Sequence, residues 1–435
     1  MSPNFAIALL LLATPAPAQD AASAFGCAFT DTQSALLSVE GLEGNFYRVE
    51  NDLRMRHPME DPIIARMAVL ARALEDGGTT LIYVAVPTKA EVMPQFLPKA
   101  AADYQFDAPT AVLVYEDIIA RLTAHGIVAP DIRAALARAP AETPPFFKTD
   151  FHWTAAGAEL AAGAIAQAIM AQPTYAELPV SVYHTEPGAM TAAFSTMRRT
   201  LQALCKDDLP RVQAVAQVTT KTLDPNVVDD IFAGDQTPQI VLVGTSFSDA
   251  PLANFAGYLS QFTGLDVLNY AVTGGNQFGA MTSYLISRDF DATRPRFLIW
   301  ENPVYNNLGQ FGPDPMEELI AAAGRNCTAQ LPVFVSAPNQ LTADLTGLDL
   351  MPDDSILADL GADGGRRAEF VFETASGITR RAVIERGDRI QASGRFFKSM
   401  GTLWHPDLKT LSVTFDTPVS AATTLSLCSS RKEPS

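Results

Sequence analysis

Two short segments of the chain carry residue types that could form and break an acyl bond. The first contains Asp150 and His152, two positions apart, so the carboxylate can fix the tautomer of the imidazole and stabilise it once protonated. The second contains Ser246, which lies between Gly244 and Ser248. A serine hydroxyl needs a base to react near neutral pH, and among the five histidines only His152 has an acidic residue two positions before it. Together the two segments predict a Ser-His-Asp triad.

Each segment taken alone also has a purely structural interpretation. Thr154 is placed to cap a following alanine-rich helix, so Asp150 and His152 could form a capping cluster with a hydrogen-bonded core histidine. The second segment is not the G-x-S-x-G elbow of hydrolases, because Ser248 stands where the second glycine would be. Taken alone, it favours a turn in which a serine caps a helix.

Strands and helices alternate around both segments. Ser246 follows directly after an apolar run, and the carboxyl end of a buried parallel strand is where α/β folds place nucleophiles and ligands. Alternation with short connections predicts an α/β fold, a doubly wound parallel sheet, in a domain of residues 27–324. The predicted strands are Thr80–Val86, Gly126–Asp131, Gln239–Val243, Asp266–Tyr270 and Phe297–Trp300. The predicted helices are Ile63–Leu74, Ala111–Ala124, Ile132–Arg138, Ala155–Met170, Leu252–Phe262 and Gln277–Ser287.

Other parts of the chain have a different pattern. Residues 34–51 predict a β-hairpin with Gly41 and Gly44 at its turn, and residues 173–238 have the weak periodicity of an insertion. After residue 324 helical spacing nearly disappears, which predicts a small all-β sandwich over residues 327–435. Its strand candidates are Pro332–Val335, Phe370–Phe372, Arg381–Glu385, Ile390–Ala392 and Leu411–Phe415.

Composition and charge restrict the class of protein. The chain has 435 residues, enough for two domains, and its 48% hydrophobic and 18% charged residues exclude a disordered chain. There are 31 Lys+Arg against 48 Asp+Glu, so the formal net charge is −17. That balance argues against nucleic-acid binding, which needs a basic field.

The first residues and the cysteines predict an exported protein. Residues 5–13 are a short apolar run and residues 16–18 form a small-x-small cleavage site, so residues 1–18 are expected to be a signal peptide. The alternatives are a buried N-terminal strand and a wrongly assigned start of the chain, and no later stretch is long enough to span a membrane. The four cysteines lack metal-binding or redox spacing, which favours two structural disulfides. Three connectivities are open; if each domain closes on itself, the pairs are Cys27–Cys205 and Cys327–Cys428. A Gram-negative periplasm fits these features.

At this point the sequence resembles a known family, the alginate O-acetyltransferases AlgX and AlgJ. The resemblance is carried by TDFHWTAAGA around His152, GTSFS around Ser246 and WENP at residues 300–303. EGLEGNFY and VPTKA, at residues 86–90, also match, and the cysteine layout with an all-β C-terminal region favours AlgX. The resemblance implies an SGNH-hydrolase-like domain with a permuted triad order. In it Ser246 would be the nucleophile, His152 the base and Asp150 the orienting acid.

The same resemblance implies further site residues. Tetrahedral intermediates need oxyanion donors, for which the Ser246 amide and the turn at Gly274, Gly275 and Asn276 are the candidates. Tyr305 would line the acceptor groove. The alternatives are a simple tight turn and a packing tyrosine.

The C-terminal region would be a carbohydrate-binding module. Residues 366–409 contain nine Lys+Arg and five Asp+Glu, a basic island on an acidic chain. Such an island suits an anionic polysaccharide, because arginine forks match carboxylates and an aromatic ring can stack on sugars. The alternative is the solvated face of a sandwich. The candidate residues are Arg380, Arg381, Arg395, Lys398 and Trp404.

The function expected from these features is periplasmic O-acetylation of a secreted, anionic, alginate-like polysaccharide through an acetyl-serine. Two alternatives remain, an acetyl esterase with the same triad and a non-catalytic polysaccharide-binding scaffold of a secretion complex. No cofactor and no metal site are expected, and the acetyl donor is not identified. The expected partners are an anionic polysaccharide and other proteins of an acetylation or secretion complex.

Overall fold

The structure is a computed structural model that describes residues 23–28, 37–222, 238–324, 327, 329–361 and 364–429. The predicted signal peptide, residues 1–18, lies outside the described residues. Of the helices that are described, none is both long and apolar enough to cross a membrane.

The described elements follow the predicted division into an α/β region and a β region. The α-helices are α1 Val49–Asp52, α2 Asp61–Glu75, α3 Lys89–Val92, α4 Ala108–Ala124, α5 Ile132–Leu136, α6 Ala155–Met170, α7 Thr196–Gln202, α8 Ser246–Asp249, α9 Phe255–Thr263, α10 Gly279–Leu285, α11 Arg288–Ala292 and α12 Asp314–Gly324. The strands are β1 Ser38–Glu40, β2 Phe46–Arg48, β3 Thr80–Val86, β4 Tyr183–Ala192, β5 Gln213–Lys221, β6 Ile240–Val243, β7 Val267–Asn269, β8 Phe297–Pro303, β9 Ala329–Gln330, β10 Val333–Ala337, β11 Gln340–Asp344, β12 Ser355–Asp359, β13 Arg367–Thr374, β14 Thr379–Glu385, β15 Arg395–Ser399, β16 Leu408–Phe415 and β17 Thr424–Cys428.

A parallel sheet forms the centre of the α/β region. Its strand order is β3-β8-β6-β7, and every pairing is parallel. Both faces are covered: Leu81 and Tyr83 of β3 pack on the side of α2, α4 and α10, whereas Ile82 and Val84 pack on the side of α6 and α9. A strand buried on both faces must be apolar throughout, which is why its sequence is a continuous apolar run. The predicted doubly wound fold is confirmed.

Two antiparallel sheets form the C-terminal region. One has the order β10-β11-β16-β13-β14, and the other has the order β15-β12-β17-β9. Side chains from both sheets, among them Ile356, Phe370, Phe396 and Val413, form one buried core. This is the arrangement of a β-sandwich, as the sequence predicts.

The β-sandwich packs closely on the α/β region. Leu357, Phe397 and Cys428 belong to the same apolar core as helices α2 and α12. Arg386 forms a buried two-bonded ion pair with Glu318 of α12, at 2.7 and 3.0 Å. The seam between the two regions therefore contains both apolar and charged contacts.

Two of the five candidate carbohydrate-binding residues, Arg395 and Lys398, also lie in this seam, which corrects the expectation of an exposed cationic surface. The side chain of Arg395 is 5% exposed, pairs with Asp291 and Asp359, and donates to backbone carbonyls. Lys398 is buried and pairs with Asp314 at 3.0 Å. Their charges are matched by carboxylates of the protein itself, so they are not open to a polysaccharide in this structure.

Several predicted elements differ from the observed ones. The predicted strand Ile390–Ala392 is wrong: it is a loop, in which the Gln391 amide donates to Ser283 of α10 at 3.0 Å. The predicted strand at residues 126–131 is reduced to one bridge between Val128 and Ile82. Residues 173–238 include an antiparallel pair of strands, β4 and β5, which are joined through helix α7; β4 is mostly exposed and β5 about half exposed. The N-terminal hairpin, β1 with β2, is confirmed, and so are the pairs Cys27–Cys205 and Cys327–Cys428.

Candidate active site

Ser246 lies where the sequence places it, just beyond the carboxyl end of β6. Thr245 caps the short helix α8, and Ser246 is its first residue. Gly244 is required here, because a Cβ atom at that position would lie 2.5 Å from the Glu301 Oε2 atom. The backbone amide of Ser246 has no hydrogen-bond acceptor within the described part of the chain, as is usual for the first turn of a helix. That amide is therefore available to an oxyanion.

Asp150 and His152 lie on the loop before α6, whose first turn is capped by Thr154. The Asp150 Oδ1 atom accepts hydrogen bonds from the His152 backbone amide at 2.8 Å and from His152 Nδ1 at 2.6 Å. The other ring nitrogen, Nε2, lies 2.7 Å from Ser246 Oγ. The structure thus brings the three predicted residues together in one chain of hydrogen bonds. The Asp150 side chain is 4% exposed and the His152 side chain 23%, so the imidazole remains open to solvent.

The hydrogen bonds fix the direction of proton transfer. Because ionised Asp150 can only accept, His152 Nδ1 carries a proton and Nε2 presents its lone pair to the Ser246 hydroxyl. Burial raises the pKa of the Asp150 carboxyl, but hydrogen bonds from His152 and Ser195, with the charge of His152, outweigh burial and bring the pKa below its usual value. The Ser195 hydroxyl donates to Asp150 Oδ2, and no sequence motif pointed to this residue.

A second buried carboxylate, that of Glu301 in β8, holds the loop that carries Ser246. It accepts hydrogen bonds from the Thr245 amide at 2.8 Å, from the Thr245 hydroxyl at 3.0 Å and from the Ser248 hydroxyl at 2.9 Å. Burial raises its pKa, and these hydrogen bonds partly offset the effect. The WENP sequence could have pointed to this role of Glu301, because a charged residue inside a mainly apolar strand needs a buried partner.

A buried lysine holds the loop that carries Asp150. Lys89, at the start of α3, is 1% exposed, and its Nζ atom donates to three backbone carbonyls, those of Phe46, Phe147 and Lys148. The distances are 3.1, 2.6 and 2.8 Å. Burial lowers the pKa of Lys89 to about 7, although the charges of Asp52 and Asp150 raise it. Satisfying all three carbonyls takes three N–H groups, which only the ammonium form has.

Tyr305 lies near the triad but is separated from it by a stack of side chains. The Arg48 guanidinium is 4.9 Å from the centre of the Tyr305 ring and 3.9 Å from that of Phe151. The Phe151 ring packs in turn on His152, with centroids 4.1 Å apart. Arg48 also forms a buried ion pair with Asp52 at 2.9 Å.

The predicted oxyanion turn lies beside the same strand end. The Val272 amide donates to the Gly244 carbonyl at 3.1 Å, and the Thr273 amide donates to Asp249 at the end of α8. Gly274 and Asn276 have positive φ angles of 74° and 56°, and the Asn276 side chain accepts from the Phe278 amide at 2.8 Å. The turn is therefore tethered to the far end of α8. Roles for Gly274, Gly275 and Asn276 as oxyanion donors stay a prediction.

The other predicted carbohydrate-binding residues are nearer the surface than Arg395 and Lys398. Arg381 is exposed and forms an ion pair with Glu369 at 2.8 Å. Arg380 donates to the carbonyls of Thr402 and Trp404. The Trp404 ring is partly buried against the sandwich core, and its Nε1 atom donates to the Leu350 carbonyl at 2.8 Å.

A known protein family matches the part of the chain that contains this site. The sequence profile described as "SGNH hydrolase-like domain, acetyltransferase AlgX" matches residues 39–304, which include all three residues of the hydrogen-bonded chain. The protein belongs to this AlgX family. The predicted resemblance is confirmed.

Individual relatives agree with the family assignment. The alginate biosynthesis protein AlgX of Pseudomonas fluorescens is 33% identical over 265 residues, which are 60% of this chain and 54% of that protein. The chain thus spans about half the length of the AlgX relatives that it matches. The probable alginate O-acetylase AlgJ of P. fluorescens is 30% identical over 312 residues, 70% of this chain and 73% of that protein.

Two solved structures share the fold. The structure of P. aeruginosa AlgX superposes with a TM-score of 0.75 at 23% identity, covering 90% of this chain and 94% of that one. The O-acetyltransferase domain of P. putida AlgJ gives a TM-score of 0.52 at 26% identity, covering 66% and 99%. The first match extends over the C-terminal sandwich as well as the α/β region.

Proposed function

We propose that this protein is a periplasmic O-acetyltransferase that moves acetyl groups onto a secreted anionic polysaccharide through an acetyl-Ser246 intermediate. The observation that carries the proposal is the chain of hydrogen bonds from Asp150 through His152 to Ser246, at 2.6 and 2.7 Å. The protein belongs to a family described as acetyltransferase AlgX, and several of its relatives are named as alginate biosynthesis proteins or probable alginate O-acetylases.

The first half-reaction forms the acetyl-enzyme. His152 Nε2 takes the hydroxyl proton as Ser246 Oγ bonds to the acetyl carbonyl carbon, and Asp150 stabilises the resulting imidazolium. The carbonyl oxygen becomes an oxyanion, toward which the Ser246 amide is available. As the tetrahedral intermediate collapses, its bond to the leaving group breaks and the imidazolium returns the proton to that group.

The second half-reaction reverses these steps with a sugar hydroxyl. His152 takes the proton of the acceptor hydroxyl, whose oxygen attacks the acetyl-serine carbonyl. The second tetrahedral intermediate releases the acetylated sugar, and Ser246 Oγ regains a proton from the imidazolium. With water as the acceptor, the same residues would make the protein an acetyl esterase. With no acetyl-enzyme formed, the protein would be a binding scaffold.

Two parts of the proposal concern location and the second domain. Export through a signal peptide at residues 1–18 is supported by the two disulfides, which are typical of oxidising compartments. We also propose that residues 327–435 form a carbohydrate-binding module, for which Arg380, Arg381 and Trp404 remain candidate contacts. Partner proteins of an acetylation complex remain part of the proposal.

The test is to detect the intermediate and to follow the product. The purified protein is treated with a small activated acetyl ester, and peptide mass spectrometry should find one added acetyl group on Ser246. Ser246→Ala should remove the label, and His152→Ala should slow its formation by about a thousandfold or more. His125→Ala, an exposed histidine bonded only to the Arg121 carbonyl in the described structure, is the matched control.

The product then separates the alternatives. Addition of polyuronate should give O-acetylated polymer faster than free acetate. Acetate alone would support the esterase, and an unlabelled Ser246 in a folded protein would leave only the scaffold.

A further inference from the structure

Two adjoining cavities lie on the surface beside Tyr305. One has a volume of about 500 Å³ and the other about 280 Å³, and they share Pro58, Glu60 and Asn307 in their walls. Together they form one continuous depression beside the start of α2, which we call the α2 groove.

The larger cavity of the α2 groove is mainly polar and the smaller one mainly apolar, and each contains an arginine without a described carboxylate partner. The larger cavity is lined by several carboxamide side chains and by Arg54; the smaller is lined in part by Arg66. Within the described residues, neither of these two guanidinium groups has a carboxylate within 4.0 Å. Arg56 is different, since it pairs with Glu60 at 3.1 Å. The carboxamides are those of Asn51, Gln277, Asn306, Asn307 and Gln310.

Arg54 and Arg66 therefore bring two guanidinium charges that no carboxylate of the described residues neutralises to one groove of a chain of net charge −17. A guanidinium without a partner offers two parallel N–H groups that fit a carboxylate, and carboxamides both donate to and accept from sugar hydroxyls. The groove therefore has the chemistry to bind sugar residues that carry carboxylates.

The α2 groove is connected to the triad through packed side chains. Arg54 Nη1 donates to the Tyr305 carbonyl at 3.4 Å, and the Tyr305 ring lines the larger cavity. From Tyr305 the stack continues through Arg48 and Phe151 to His152. None of Asp150, His152 and Ser246 lines either cavity, so a polymer bound in the groove would have to extend past Arg48 and Phe151 for one of its hydroxyls to reach His152.

We propose that the α2 groove is the binding site for the acceptor polymer, a linear polyuronate, and that Arg54 and Arg66 bind carboxylates of successive sugar residues. This inference rests on the proposed function and adds a binding site on the α/β region to the candidate contacts on the C-terminal sandwich. The alternatives are a neutral polysaccharide and no polymer at all.

The experiment measures binding and turnover separately, on the full-length protein. Binding of polymannuronate is titrated with the Ser246→Ala variant, which prevents turnover. Added Arg54→Ala and Arg66→Ala changes should raise the Kd by roughly three- to fivefold each, the range of exposed ion pairs. Arg54→Lys keeps the charge and should recover part of the loss. Arg138→Ala, an exposed arginine on the opposite face of the central sheet, is the matched control.

Turnover and a neutral polymer complete the test. With Ser246 present, the double variant should raise the KM for polymannuronate by tenfold or more, and carboxyl-reduced polymer should bind weakly to the wild type. The inference is overturned if the double variant matches Arg138→Ala in Kd, or if the neutral polymer binds equally well. Failure of the proposed function would give a different result, because an acetyl ester would then leave Ser246 unlabelled. The binding titration would still show whether the α2 groove binds polymannuronate.

Discussion

Replacing Glu301 removes the carboxylate that holds the nucleophile loop without touching the triad itself. Its two oxygens accept from the Thr245 amide, the Thr245 hydroxyl and the Ser248 hydroxyl, which stand on either side of Ser246. Glu301 is fully buried, so water does not replace it easily. Two substitutions separate its roles: Glu301→Ala removes all three hydrogen bonds, and Glu301→Gln keeps the shape but loses the charge.

The expected magnitudes follow from these contacts. An unsatisfied buried donor costs about 1–3 kcal/mol, but the two hydroxyls can rotate toward other acceptors, so Glu301→Ala should destabilise the protein by about 3–5 kcal/mol including its cavity. In Glu301→Gln the amide oxygen can still accept from the Thr245 amide and its NH₂ can donate to the Thr245 hydroxyl. That change should cost only about 1 kcal/mol. A shift of the nucleophile by about 1 Å can lower turnover about a hundredfold, which is expected for Glu301→Ala.

The assay combines hydrolysis of a small activated acetyl ester with thermal melting of the same samples. Glu301→Gln should remain within about tenfold of the wild-type kcat, whereas Glu301→Ala should fall about a hundredfold with a lowered Tm. Wild-type turnover by a folded Glu301→Ala variant would show that this carboxylate does not position Ser246. An equal loss in both variants would mean that the negative charge, not the hydrogen-bond geometry, is what the site needs.

Two further outcomes are expected from denaturant unfolding followed by tryptophan fluorescence. Lys89→Met removes the donor to the buried carbonyls of Phe46 and Phe147, whereas the Lys148 carbonyl keeps the Phe46 amide as a donor at 2.8 Å. The change should therefore lower the free energy of unfolding by about 2–4 kcal/mol. Lys99→Met, on an exposed side chain, should change it by no more than about 0.5 kcal/mol, and equal effects would contradict the role of Lys89. Because the pKa of Asp150 lies below its usual value in the native state, its carboxylate stabilises the protein fully above about pH 4, and this contribution is lost as the pH falls through the native pKa. The difference in unfolding free energy between wild type and Asp150→Asn should therefore be constant above about pH 5 and shrink below about pH 4; a difference that grows on acidification would refute the assignment.

The sequence by itself predicted the central sheet and the three residues, Asp150, His152 and Ser246, that the structure joins in one chain of hydrogen bonds. Strands buried on both faces must be apolar throughout, so β3, β6 and β8 were visible as continuous runs. Ser246 was singled out because the end of such a strand is where α/β folds place nucleophiles and ligands. Asp150 and His152 were found because a contact between residues two apart needs no knowledge of the fold.

Other features were invisible because they depend on contacts between distant segments. Ser195 meets Asp150 across 45 residues, and Lys89 reaches the loop before Asp150 across 58 and 59 residues. The local sequence pattern around either residue does not indicate such long-range contacts. The loop at residues 390–392 was mistaken for a strand because its backbone bonds to α10, a segment more than a hundred residues away.

The clearest contribution of the tertiary structure concerns charge. Counting residues shows a basic island between residues 366 and 409, but a count does not show which side chains reach solvent. Folding directs Arg386, Arg395 and Lys398 into the seam, where carboxylates of the α/β region neutralise them. It leaves Arg54 and Arg66 unmatched in the α2 groove. The reason is physical: a buried charge is tolerated only beside a partner, and the partner is supplied by the fold, not by the neighbouring sequence.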